Sequence, residues 1–293
     1  MDDDKIKELS NLLAGIIQRH LSSDAHQWLQ EKAGLISGEE TSTQLRTAFS
    51  AVPRKTGRSI VELTENEIKA IKSLGDGFSM KNWTTDRLCR LWLLMQPDAS
   101  EQETYCKKIE SLFRDAEMHE LVALYSSLYI FSYPEAWQFR TTEGIRSNIG
   151  SVLEAIMYQN PYPHTYLSEQ AWNQMVLKAF FTDKEVDRII GLDERANKPL
   201  ASILIDYAHE RWAAHRSVDP QLWRLVSAYI DESNFFNIKK LFENGDHAEK
   251  QAAALACSGS SYEPAKQLLA SEPYLNTAIK ENKLNWQSVN TLI

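Results

Sequence analysis

The sequence predicts an all-α protein, built as irregular stacked helical hairpins: a HEAT- or armadillo-like α-solenoid or a multi-helix array. Three observations predict it. Capping signals recur, with Ser37 and Glu40, Thr64 and Glu67, Ser100 and Glu103, and Thr182 and Glu185 each spaced as a capping box. Apolar residues repeat at helical spacing through most of the chain. Glycine is sparse, 11 of 293 residues, as expected where few turns need a positive φ.

Taken in order, Ser59–Leu63 is the best strand candidate, and it is too short and isolated to carry a sheet. A helix opening near Thr142 carries Ile145, Ile149, Val152, Leu153 and Ile156 on one side. Between Ser168 and Phe181 the stripe is Trp172, Met175, Val176 and Ala179, and on the helix opening near Pro199 it is Leu200, Ile203, Leu204, Tyr207 and Ala208. Asp219-Pro220 reads as a helix start, with an acceptor at the cap and proline at the first helical position. After Asp231 come five short segments, Asn234–Asn244, Asp246–Cys257, Ser261–Ala270, Glu272–Asn282 and Trp286–Leu292. Helical pairs of this size suggest stacking, but no consensus repeats, so the array is irregular. We expect one helical domain over residues 1–293, with a soft boundary near 227–233 before the C-terminal set.

Composition narrows the function. A net charge of −8 argues against nucleic acid, because a phosphate backbone needs clustered Lys and Arg. Cys89, Cys106 and Cys257 are odd in number and far apart, which fits a reduced cytoplasmic compartment rather than a disulfide framework or a structural zinc site. The start, MDDDKIKELS, is acidic where a secretory signal is basic and then apolar. The longest apolar run, Leu121–Phe131, is too short to span a bilayer, so membrane contact is expected only through a partner.

Several segments carry groups suited to chemistry. His209-Glu210-Arg211-Trp212 begins like a zinc-protease motif, but Ala213 stands where the second histidine belongs, and no metal is expected. His209 falls on the polar side of its helix with Ser202 and Asp206, one turn from the latter. Arg211 falls beside Leu204 and Tyr207 on the apolar stripe. A guanidinium buried there requires a carboxylate, with Asp193, Glu194, Glu143 and Glu154 as candidates, or it forms an anion pocket with Arg195 and Arg146. In Gly191–Asn197, Gly191 reads as a helix C-cap and Asn197 as an N-cap, leaving Asp193, Glu194 and Arg195 unexplained by capping. Asn160-Pro161-Tyr162-Pro163 reads as a rigid turn that ends one helix, with the tyrosine available to line a pocket. Pro53–Arg58 is the one basic cluster of note, and it reads as a solvated loop, since the phosphate-loop pattern is absent. No nucleophile motif or dinucleotide fingerprint occurs, so no cofactor is expected.

Six pieces of the chain, in order, carry a family resemblance: AFSAVPRKTG (48–57), EGIRSNIGSVLEAI (143–156), NPYP (160–163), AWNQMVLKAFF (171–181), GLDERAN (191–197) and DYAHERWAAHRSVDPQLW (206–223). On these the chain resembles the EboA-type family of bacterial proteins. The resemblance implies a cytoplasmic accessory protein encoded with an Ebo set that includes a UbiA-like membrane prenyltransferase, a TatD-like hydrolase, a sugar-phosphate-cyclase-like enzyme and an isomerase-like TIM barrel. In some cyanobacteria that set is linked to moving a pigment precursor to the periplasm. The resemblance supplies no catalytic residues.

The expected function is therefore that of a non-catalytic module of a secondary-metabolite system, binding a small precursor or a partner pathway enzyme and aiding its processing or trafficking. The binding positions are Arg195, Tyr207, His209, Arg211 and Trp212 with Asn160 and Tyr162 of the turn, joined by the motif positions Arg146, Trp172, Asn173 and Glu210. The alternative is an enzyme acting on an anionic, phosphorylated or prenylated precursor, with Asp193, Glu194 and His209 as acid–base residues.

Overall fold

The computed structural model describes residues 3–38, 41–75 and 77–289. They form 17 α-helices with short 3₁₀ turns and no sheet, so the all-α prediction holds. The chain divides into two compact units, residues 1–171 and 172–293. The soft boundary expected at 227–233 has the second unit on both sides.

The first unit carries α1 (Asp3–His20), α2 (Ser23–Ser37), α3 (Thr43–Thr56), α4 (Glu65–Leu74), α5 (Thr85–Leu94), α6 (Gln102–Arg114), α7 (Met118–Ser126), α8 (Gln138–Arg146), α9 (Gly150–Met157) and α10 (Pro161–Tyr166). Its centre is α5, which packs on α1, α2, α3 and α7. Nine of its ten residues are buried, because a helix surrounded on all sides has no wet face. Next to it, α9 packs on α7, α8 and α10.

Helix α11 (Glu169–Phe181) is followed in the second unit by α12 (Lys198–Ala213), α13 (Leu222–Val226), α14 (Phe235–Asn244), α15 (His247–Ser258), α16 (Glu263–Ala270) and α17 (Pro273–Lys280). Here α15 is central and touches α13, α14, α16 and α17. Its buried run Ala252, Ala253, Ala254, Leu255, Ala256 and Cys257 is mostly methyl-sized, which lets neighbouring backbones come close. Ser227 Oγ donates to the Ala256 carbonyl at 2.9 Å, and a Cβ at Gly259 would sit 2.3 Å from that hydroxyl.

Several local readings need correction. The helix expected through Ile145 and Ile156 breaks at Ser147–Ile149, where Ser147 Oγ accepts the Ile149 N–H at 3.1 Å and offers the backbone a turn instead. Of the three capping boxes that fall on described residues only Thr64 with Glu67 forms. Ser100 binds Asp98, Thr182 binds the Lys178 carbonyl, and Glu40 lies outside the described residues. Asp246 with Glu249 makes a box that the sequence reading missed. At Asp219-Pro220 the carboxylate holds the Gln221 N–H at 2.9 Å in a turn, and the helix starts only at Leu222. Ser59–Leu63 makes a single antiparallel bridge, Ile60 to Thr84. Of the five C-terminal segments the first four are α14 to α17. Residues 286–289 are turns, and the rest of the fifth lies outside the described residues.

Candidate functional site

In the first unit the NPYP segment follows the end of α9 at Met157, as expected, and itself starts the next helix rather than forming only a turn. Asn160 is the N-cap of α10, and Pro161 and Pro163 stand in the first turn, where no backbone donor is needed. Buried Asn160 uses its whole amide: Nδ2 donates to the Tyr125 and Ala155 carbonyls at 3.1 and 3.0 Å, and Oδ1 accepts the Tyr162 N–H at 3.1 Å. Tyr162 is fully buried and donates to the Pro134 carbonyl at 2.6 Å. Burial pushes its phenol well above the ordinary range. Asn160 and Tyr162 thus tie four segments together and leave no group free for a ligand. Arg146 is exposed at the end of α8.

In the second unit the Gly191–Asn197 loop is a structural knot. Gly191 is left-handed, with φ 75°, after a single 3₁₀ turn rather than an α-helix. Asp193 takes the Arg224 guanidinium with both carboxylate oxygens, Nε lying 2.6 Å from Oδ1. Asn197 caps α12 by accepting the Leu200 N–H at 2.9 Å, and it pairs with Asn173 of α11. Tyr229 donates to the Ala196 carbonyl at 2.7 Å, and the Arg195 guanidinium lies 4.7 Å from the Trp172 ring centre. Glu194 is exposed.

Arg211 is not a buried cation. It is half-buried, and its Nε donates to the Ser217 carbonyl at 2.8 Å, closing the end of α12 where His215 takes a left-handed φ of 54°. None of the four proposed carboxylates pairs with it among the described residues, and its planar end lies 5.9 Å from the Tyr207 ring. His209 is not on the solvated face either. Its Nε2 meets Oδ1 of the buried Asn237 at 2.7 Å. Its ring lies between Trp212 and Phe236, each 5.8 Å away. Trp212 stacks on the buried Trp223 at 5.7 Å, and Lys240 Nζ sits 3.8 Å over it. Asp193, Glu194 and His209 share no hydrogen bond, and the first and last are committed to other partners.

The apolar stripe of α12 explains what the periodicity concealed. The buried residues are Leu200, Ala201, Leu204, Ile205 and Ala208. Ile203, read as core, and Tyr207, placed both on the stripe and among the binding positions, stand on the next face and line a groove of about 380 Å³. From α12 the groove takes Ile203, Asp206, Tyr207 and Glu210; from α11 it takes Gln174, Leu177, Lys178 and Phe181. Phe181 is 66% exposed and Ile203 37%, so the floor is apolar and wet. Tyr207 donates to the Phe180 carbonyl at 3.2 Å and bridges the two helices. Burial pushes its phenol above the ordinary value, against the pull of Arg211. Of the residues singled out from the sequence, Tyr207 and Glu210 line this groove.

The buried guanidinium that the sequence reading sought on α12 is Arg90 on α5, only 1% exposed. Its Nε donates to the Phe49 carbonyl at 3.1 Å, and its terminal nitrogens lie 3.2 Å from Asp86, 3.6 Å from Glu120 and 3.8 Å from Glu117. The basic cluster Pro53–Arg58 belongs to this arrangement. Residues 53–56 are the last turn of α3 rather than a loop, and Arg58 reaches Asp86 at 3.5 Å. The missed signal was local: Arg90 stands among Leu88, Leu91, Trp92 and Leu93 with Asp86 one turn before it.

Fold and groove together define a helical protein with a groove of small-molecule size, apolar over most of its exposed lining. The chain belongs to the EboA family: the family model described as "Metabolite traffic protein EboA" matches residues 9–227. No curated protein and no solved structure matches it. No helix among the described residues is long and apolar enough to cross a membrane.

Proposed function

We propose that this chain is a non-catalytic accessory protein that binds a small, mainly apolar metabolite in the groove between α11 and α12 and passes it to partners in an Ebo-type secondary-metabolite system. On this reading those partners include a membrane prenyltransferase, and the protein works in the cytoplasm. The observation that carries the reading is the exposed pair Phe181 and Ile203 beside Tyr207, in a groove within the size range of small-molecule sites. Asp206, Glu210 and Gln174 supply acceptors at its edge, which favours a ligand with hydroxyl or N–H donors on an apolar body. The family's description as a metabolite traffic protein supports the same reading. The acid–base alternative finds no support in the separate engagements of Asp193 and His209.

Calorimetry with 2-naphthol, an apolar body with one donor, tests this. The full chain binds it, and Phe181→Ser with Ile203→Glu weakens binding about tenfold or more, since both lost contacts are apolar. Both positions are exposed, so the fold survives. Equal affinity in the double variant overturns the proposal.

A further inference from the structure

A second cavity, of about 790 Å³, lies in the first unit, walled by the segment Ile60–Leu63, helix α4 and the segment Gly77–Asn82. Its walls are held independently of any ligand. The bridge to the start of α5 fixes one side, with the Val61 N–H on the Trp83 carbonyl and the Thr85 N–H on the Ser59 carbonyl, both at 2.8 Å. From α1, His20 Nε2 accepts the Glu62 N–H and Arg19 donates to the Glu62 carbonyl, both at 3.1 Å. The capping box of Thr64 and Glu67 pins the start of α4, and Arg19 pairs with Glu67 at 2.7 Å. Such a framework keeps the space open, where a loose loop would collapse onto its own apolar residues.

The lining is apolar at depth and cationic at the edge. Ile71, Phe78 and Met80 are buried behind it. Ile60 is 56% exposed and Ile68 49%, large apolar side chains on its rim. Lys72 and Lys81 line the same cavity, both exposed, and neither forms an ion pair among the described residues. Among the described residues, the one carboxylate in the lining is that of Glu62. Two ammonium groups against one carboxylate leave a positive excess beside an apolar volume. We infer that this cavity binds an amphiphilic anion: an aliphatic or aromatic body of small-molecule size carrying one carboxylate, sulfonate or phosphate group, with the body against Ile60, Ile68 and Phe78 and the anion between Lys72 and Lys81. The inference is independent of the groove between α11 and α12, whose lining holds two carboxylates and one lysine.

The same anion reaches a protein as a free molecule or as a lipid headgroup, and a cavity of about 790 Å³, of small-molecule size, favours the free molecule. The test is calorimetry of the full chain with 2-naphthalenesulfonate, beside sedimentation with phosphatidylglycerol vesicles. The wild-type chain binds the sulfonate, and Lys72→Glu with Lys81→Glu weakens that binding about tenfold or more through loss of two charge-assisted contacts. The affinity for 2-naphthol stays unchanged in that variant, and the thermal midpoint falls only slightly, through the reversed charge of Lys72 in the last turn of α4. Phe181→Ser with Ile203→Glu leaves sulfonate binding intact, which separates this site from the groove. Equal sulfonate affinity in the lysine variant, no sulfonate binding by the wild type, or binding to vesicles alone overturns the inference.

Discussion

Asn173 and Asn197 face each other through both amides, each donating to the other's carbonyl oxygen, at 3.0 and 2.8 Å. The pair joins α11 to the loop before α12, and the Asn197 oxygen also caps α12. Two motifs far apart in the sequence therefore lock one helix start that carries one side of the groove.

Replacing Asn173 by alanine leaves the Asn197 amide short of a partner in a site where Asn173 itself is buried. An unsatisfied group of this kind costs about 1–3 kcal/mol. Urea unfolding of Asn173→Ala is expected to show a loss of that size, and an unchanged midpoint contradicts the structural role given to the pair.

Arg90 is the most exacting charge in the first unit. Its removal leaves Glu120 buried without its cation and Asp86 with only Arg58 at 3.5 Å, and such a loss typically destabilises by about 3–5 kcal/mol. Arg90→Met is expected to unfold at much lower urea than the wild type. Adding Asp86→Asn and Glu120→Gln to it recovers part of the loss, because the orphaned charges are gone. No recovery indicates that packing, rather than charge, sets the effect.

The Arg19–Glu67 pair gives the first unit an acid-sensitive element. Hydrogen bonding from Arg19 holds the Glu67 carboxyl at about 2, below its ordinary value, with help from Thr64. A depressed folded-state pKa adds stability that is full above the unfolded value, about 4.3, and is lost as the pH falls from there through about 2. Arg19 is nearly half exposed, so solvent screening limits the contribution to about 1 kcal/mol. Glu67→Gln is expected to be less stable than the wild type at pH 6, with the gap closing toward pH 2. A gap that is constant with pH excludes the ion pair as its source.

The helical class and most helices were legible because a buried helix stripe repeats wherever one side of a helix meets a core. Trp172, Met175, Val176 and Ala179 lie on such a stripe and are all fully buried. The groove was legible only in Tyr207 and Glu210, and its apolar part was not, for the same reason. Ile203 and Tyr207 keep helical spacing with Leu200 and Leu204, and periodicity cannot separate an apolar residue facing the core from one facing an open groove one step round the helix. The spacing also drew Arg211 into the core, where the helix end and the Ser217 carbonyl instead hold it half outside. For Arg90 the local part, Asp86 one turn before it in an apolar run, was legible and overlooked, whereas Glu117 and Glu120 are far along the chain and only tertiary packing brings them to α5. Asn160 stood out correctly as unusual, but its three partners make it a fastener rather than a binding group.

The most direct measurement is a methyl NMR spectrum of chain labelled at its isoleucine δ1 carbons, recorded while 2-naphthol is added. The groove account predicts that the Ile203 resonance shifts and saturates, while those of Ile60 and Ile68, beside the cavity in the first unit, move little. An Ile203 signal that stays in place while the ligand binds elsewhere contradicts it.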